Sequence, residues 1–598
     1  MLASINHDRN RANWLHLSVV LLVSAMWLLT GTTSPAEQEP APATKRLVAH
    51  EEFVKELARD FEPMPADCLK RVIRNPDNLR AVCAAKRGNK SVLYLDGALG
   101  PEFDEWYPGA TVFSPDGERL VCKVRRGTGV FIIVDGKEQG PFRLVGVAVF
   151  SPDSKRLAYL IAKDKNTWVA VVDGVEQTPM RSIDLPVFSP ESKHLAYPAQ
   201  KDKNTMVMVV DGAEQGAFRL VGVGVPVFSP DGNRLAYTAT KDNNQRVVVV
   251  DGVEQAPYQS VTRPVFSPDS NRVVYLAEKN KDTWVAVVDG VEHPPMRSIY
   301  LPVFSPDSKH LAYSAQKDKN TAVMVVDGAE QGPFRLVAVP VFSPDGKHLA
   351  YAADLSSRWS NKIGLVVDGQ VRSTEYSSIA NVQFSPDSKR LAYVGCTKTC
   401  EAVIDDKKGS PFEIVGPVLF SEDSQHFAYG AAGVGWFHAP TTMVSDQQVW
   451  AVEHGSVVRK ADPREGLIGF LVEKALPFAD ASLVESVLPR PLISANGKIV
   501  AWIERDRPKW ERMVVNGRKG PDSESVVAFP GFSPDGEHFA YLRRFSLQGR
   551  DKEVVVLDER EGKPYDAVVA QPRFTGNSTL VFTGIDGRRV FRVTQSIE

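Results

Sequence analysis

Residues 301–337 read LPVFSPDSKHLAYSAQKDKNTAVMVVDGAEQGPFRLV, and the fold follows from this stretch. A short apolar strand ends at Phe304, and Ser305-Pro306-Asp307-Ser308 supplies a turn: proline presets its own φ, while aspartate and serine bond nearby backbone. Leu311 and Tyr313 then alternate with His310 and Ala312, the period of two expected of a strand. Lys317-Asp318-Lys319-Asn320 is a polar hairpin tip. Ala322 to Val326 is apolar throughout, as in a strand buried on both faces. Asp327-Gly328 turns the chain again, and Phe334 to Val337 gives a fourth strand. So few residues separate these strands that no crossover helix fits, and pairing must be antiparallel.

The same phrase returns along the chain. FSPD or a close variant begins at Phe113, Phe150, Phe188, Phe228, Phe266, Phe304, Phe342, Phe384, Phe420 and Phe532, the first nine being 36 to 42 residues apart. Weaker copies begin at Arg74, Ile493 and Phe574. This period is that of a four-stranded propeller blade. The expected fold is therefore all-β, with tandem blades forming β-propellers. The copies number 13, and the 73 residues from Phe420 to Ile493 leave room for a fourteenth built from Gln448–Val452 and Gly466–Val472. Fourteen blades suit two seven-bladed propellers. The expected division is a signal or anchor over 1–33, linker and short helix over 34–66, a first propeller over 67–341 and a second over 342–598. The last unit lacks a fourth strand, which Lys45–His50 or Asp67–Ile73 is placed to supply, closing a ring and removing strand edges.

FSPDGNRLAY (Phe228–Tyr237) and FSPDGKHLAY (Phe342–Tyr351) resemble the WD40-like repeat of TolB-type β-propellers, over roughly residues 70–598. The resemblance implies extracytoplasmic propellers used for binding or access control, and it transfers no activity. The VDG-x-EQ-x-P phrase, as in Val250–Pro257, departs from the usual unit of that family.

At the N-terminus, Arg9 and Arg11 precede an apolar run from Trp14 to Leu29, followed by the small and polar stretch Thr30–Ala36. This is the order of a secretory signal. Its 16 apolar-rich residues fall short of the ~20 that span a bilayer comfortably, and an uncleaved anchor is the alternative. Residues 34–44 read as a Pro/Ala/Glu linker. Phe53, Leu57 and Phe61 recur every four residues, predicting a short amphipathic helix. The expected location is periplasmic or secreted, with membrane contact only through this segment if it stays attached.

Composition excludes several functions. Lys and Arg number 71 against 73 Asp and Glu, a balance that argues against a nucleic-acid binder acting through bulk positive charge. No HExxH, Cys-x-x-Cys, G-x-G-x-x-G or P-loop phrase is present, and no G-x-S-x-G elbow precedes an α/β pattern, so no metal, cofactor or catalytic residue is assigned. Five of the 11 histidines (His194, His310, His348, His426, His538) stand just before LAY or FAY, where Arg119, Arg156, Arg234, Arg272 and Arg390 stand in other units. Arginine is no ordinary metal ligand, so this position reads as solvated or stacked.

The turns suggest a surface instead. In a four-stranded blade the first and third turns share one face. That face gathers the acids of the DG turns, Asp173 and Glu176, Asp211 and Glu214, Asp251 and Glu254, Asp289 and Glu292, Asp327 and Glu330. The opposite face gathers the lysine tips, with Lys165, Lys203 and Lys319 as a candidate basic rim. Cys396 and Cys400 bracket a hairpin tip and are expected to pair; Cys83 and Cys122 replace the repeat tyrosine in neighbouring units, and Cys68 is a partner for either. Residues 167–221 and 283–337 differ at only seven positions. Residues copied in this way serve packing and turns more readily than a single catalytic centre. The reading is an exported, non-enzymatic scaffold that binds a protein or cell-envelope component through a propeller face. The alternatives are a channel enzyme acting on a glycan or small ester through the divergent residues 430–492, and a gating or sensor subunit.

Overall fold

The computed structural model describes residues 47–597 apart from 57–72, 75–80, 88–89, 96–97, 222–224, 357–361, 433–440, 446–447, 454–455, 462–491, 508–509, 569–571 and 588. Residues 47–597 form one compact unit. Among the described residues there are thirteen antiparallel sheets and no α-helix. Each sheet holds one copy of the repeat. In the Phe304 sheet, Ser298–Ile299 and Val303–Phe304 pair with Leu311–Gln316, which pairs with Ala322–Val326, which pairs with Ala329–Phe334. The strand carrying the FSPD phenylalanine is thus one edge of its sheet, and the strand after the DG turn is the other.

Alternation on the two central strands builds the core. Leu311, Tyr313, Ala315, Val323 and Val325 pack on Val274, Leu276, Ala286 and Val288 of the preceding sheet. Ala312 and Met324, on the opposite side, pack on Leu349, Tyr351, Ala353 and Val366 of the following one. Both faces are buried, which is why the third strand carries no polar residue. The core around residue 342 is built like its neighbours, so packing runs unbroken across the division expected at 341/342.

The FSPD turn is a second connector between sheets. Ser305 is fully buried; its hydroxyl donates to Asp307 Oδ1 at 2.6 Å and accepts the His310 N–H at 2.9 Å. That first bond is the main reason the Asp307 carboxyl lies below the usual range. Where serine follows the acid of this turn (aspartate, or Glu191 in one sheet) it adopts a left-handed φ of 63° to 70°, as at Ser154, Ser192, Ser270, Ser308, Ser388 and Ser424. Each of these hydroxyls accepts, at 2.9 Å, the N–H of an aspartate in the preceding sheet. Units written FSPDG have glycine at this φ without strain but carry no hydroxyl to receive that N–H.

The N-terminal reading needs correction. Leu47–Glu56, here β1, is a strand that pairs antiparallel with β2, Arg589–Ile597, as the outer strand of the last sheet; Leu47–His50 supplies the strand the last unit lacked, as expected, and Glu51–Glu56 continues it and does not start a helix. Phe53 meets Phe591 edge to face at 6.1 Å, and Glu51 accepts the Tyr565 hydroxyl. The Glu- and Lys-rich segment favours helix locally, but an open sheet edge offers a full ladder of partners, and tertiary context overrides propensity. Leu57 and Phe61 lie outside the described residues. Gln448–Glu453 also differs from expectation: it joins the Phe420 sheet, followed there by Ser456–Ala461, and is not part of a separate unit. Gly466–Val472 lies outside the described residues.

Candidate interaction surface

The ten acids of the DG turns each have a basic partner within their own sheet. Asp173 pairs with Arg156 at 3.0 Å, Asp211 with His194 at 2.6 Å, Asp251 with Arg234 at 2.9 Å, Asp289 with Arg272 at 3.2 Å and Asp327 with His310 at 2.7 Å. In each case the other carboxylate oxygen accepts the N–H of the residue following that Arg or His, which locks the turn. Glu176 pairs with Lys163, Glu214 with Lys201 at 2.7 Å, Glu254 with Lys241 at 2.6 Å, Glu292 with Lys279 at 2.7 Å and Glu330 with Lys317 at 2.8 Å. These glutamates are therefore bound by lysines of the very hairpins assigned to the opposite face. Such half-exposed pairs are each worth little, but together they leave these acids neutralised. Lys165, Lys203 and Lys319 are exposed and form no ion pair among the described residues.

The position before LAY is a clamp. Arg234 binds Asp251, stacks 5.2 Å from the Phe266 ring of the next sheet, and donates to the carbonyls of Ser270 and Asn271 there. Arg119, Arg156 and Arg390 repeat the arrangement. Cys396 and Cys400, directly opposite in register, are joined by a disulfide. Closing so small a loop stabilises by about 2 kcal/mol in the chain-entropy account. Cys122 is a buried free thiol whose pKa burial pushes up to about 12. Cys68 and the Cys83 side chain lie outside the described residues. Among the described residues no group of three or more His, Cys, Asp or Glu is placed to hold a metal ion.

A different set of side chains is left without partners. Three residues before the FSPD phenylalanine, on the edge strand of six successive sheets, stand Val147, Leu185, Val225, Arg263, Leu301 and Val339. All six are exposed, the aliphatic ones from 39 % at Val225 to 70 % at Leu301. The cause is a bulge. The residue before this position still donates its N–H to the second strand, Asp184 to Pro198, Thr262 to Leu276, Tyr300 to Ser314 and Ala338 to Ala352, each at 2.9 Å. In five of the six sheets the residue after it is a buried proline, Pro186, Pro226, Pro264, Pro302 or Pro340; in the Phe150 sheet it is Ala148. At Asp184–Leu185, Tyr300–Leu301 and Ala338–Val339 two consecutive residues thus face outward, and the extra one projects from the edge. In the sequence, LPVF reads as an ordinary short apolar strand; only the recurrence of X-Pro before Val-Phe signals the interruption.

No family model matches the chain, and no curated protein matches it.

Proposed function

We propose that the chain is an extracytoplasmic β-propeller scaffold, akin to TolB-type propellers, that binds a partner protein through the bulged edge strands of the Phe150 to Phe342 sheets. The observation carrying this reading is the row of exposed aliphatic residues at one repeat position. A run of large exposed apolar side chains at equivalent points of neighbouring sheets marks a contact surface, whereas single ones do not. The compensated DG turns offer no comparable unpaired chemistry. Face-to-face sheets, and an N-terminal strand completing the last sheet, support blades closing into a propeller. Unbroken packing past residue 342 supports one continuous run of blades over two rings dividing there. The Cys396–Cys400 disulfide and the signal-like N-terminus support an oxidising location.

The test is site-specific photo-crosslinking in envelope preparations, with the probe at Leu301 or Leu185, and at Val175 or Val291 on the outer strands, both more exposed than Leu185, as controls. Discrete protein adducts from the first pair and none from the second are expected. Equal labelling of both pairs, or none from either, would remove the assignment.

A further inference from the structure

The row holds one basic charge. Arg263 stands between Val225 and Leu301, exposed, and forms no hydrogen bond or ion pair among the described residues. The arginines before LAY are engaged by contrast: Arg119, Arg156, Arg234, Arg272 and Arg390 each bind an aspartate. We propose that the row takes an extended segment of a partner protein that sets one carboxylate on Arg263 and aliphatic side chains on Leu185, Val225, Leu301 and Val339. This rests on the scaffold reading above and adds the chemistry of the partner.

Four observations lead there. A guanidinium presents a planar fork that fits a carboxylate bidentately, and aliphatic residues on both sides require a ligand that is apolar on both sides of a single anion. Packed sheets lie about 10 Å apart, so the six positions extend over at most roughly 50 Å, a length that about fifteen extended residues cover. The buried prolines remove N–H groups from the edge strand, so the ligand cannot simply add as a further strand. Recognition then falls to side chains, one site per sheet. Finally, Asp184 is exposed beside Leu185, one residue before the row. It repels a second acid there and sets the register, with the carboxylate on the Arg263 side. An anionic membrane surface would meet that same acid and only one aliphatic side chain per sheet.

The experiment uses the full chain and two pooled fifteen-residue peptide libraries, with Leu, Ile or Val at alternate positions and Glu or Gln fixed at the centre. Binding is read by fluorescence anisotropy. The Glu pool should bind at least about tenfold tighter than the Gln pool, and this preference should vanish in Arg263→Ala and be partly kept in Arg263→Lys. Leu301→Asp should weaken both pools. Arg263 is exposed, so circular dichroism of its variants should match the parent. Equal binding of the two pools, a Glu preference that survives Arg263→Ala, or no measurable binding would overturn the proposal. So would Arg263-dependent binding of phosphatidylglycerol vesicles without peptide binding. If crosslinks form at Leu301 while the pools bind alike, the scaffold reading stands and this one falls; if no crosslink forms, both fall.

Discussion

Replacing Ser308 by alanine and by glycine isolates the hydrogen bond that ties one sheet to the next. The Ser308 hydroxyl accepts the Asp269 N–H at 2.9 Å while the serine sits at a φ of 63°. Either substitution leaves that partly buried amide without its acceptor, at a cost of about 1–3 kcal/mol. Alanine keeps the left-handed strain already present. Glycine relieves roughly 1–2 kcal/mol of it and loses about 0.5–1 kcal/mol through the freer unfolded chain. The expected order of stability is serine, then glycine, then alanine, the last two separated by about 0.5–1 kcal/mol. A stack of repeats need not unfold in one step, so a local assay is required. Amide hydrogen exchange at Asp269 should accelerate about tenfold per 1.4 kcal/mol, and more in Ser308→Ala than in Ser308→Gly. Unchanged protection of Asp269, or slower exchange with alanine than with glycine, would show that this contact does not couple the sheets.

Two further outcomes are expected. Burial raises the hydroxyl pKa of Tyr197, Tyr237, Tyr275, Tyr313, Tyr429 and Tyr541 to about 12. Unfolded tyrosines ionise near ~10, so between those values the folded chain holds more protons, and stability complete below pH ~10 is lost as pH rises. Tyrosinate absorbance should thus show a late group titrating together with loss of near-ultraviolet dichroism; ionisation of all tyrosines near the ordinary value with the fold intact would contradict the packing. Removing residues 1–56 deletes β1 and frees the β2 edge along nine registered pairs. An unpaired edge of that length recruits other strands, so size-exclusion chromatography with light scattering should show self-association, and a monodisperse monomer would count against β1 as the closing strand.

The fold was legible because period-two alternation and turn chemistry agree in almost every unit. Phe304, Asp307, Tyr313 and Asp327 each do in three dimensions what the local pattern implies. Leu47–His50 was legible as the missing strand of the last unit, but Glu51–Glu56 was misread because its local preference points to helix while its partner, β2, lies more than five hundred residues away. The pairing of Glu214 with Lys201, or Glu330 with Lys317, was hidden for a related reason. Topology assigns a turn to a face, but a lysine and a glutamate are long enough to meet along the sheet between the faces. Arg263 escaped notice because its significance is the lack of a partner among the described residues, and sequence shows residues without their surroundings.

Duplication explains where unpaired chemistry is left. A copied unit brings its acid and its base together: Asp211 arrives with His194 and Asp327 with His310, and the same turn bond forms in both. The turn acids of a copied unit are therefore paired wherever the unit goes, and they distinguish no sheet from another. The bulge is exempt, because its extra residue touches nothing in its own ladder and is free to vary without cost to the core. Across the six sheets that position is Val147, Leu185, Val225, Arg263, Leu301 and Val339, while the phenylalanine three residues on is the same in all six. Under the proposed binding mode, specificity resides in the sequence of bulge residues read from sheet to sheet, with Arg263 as its one basic letter.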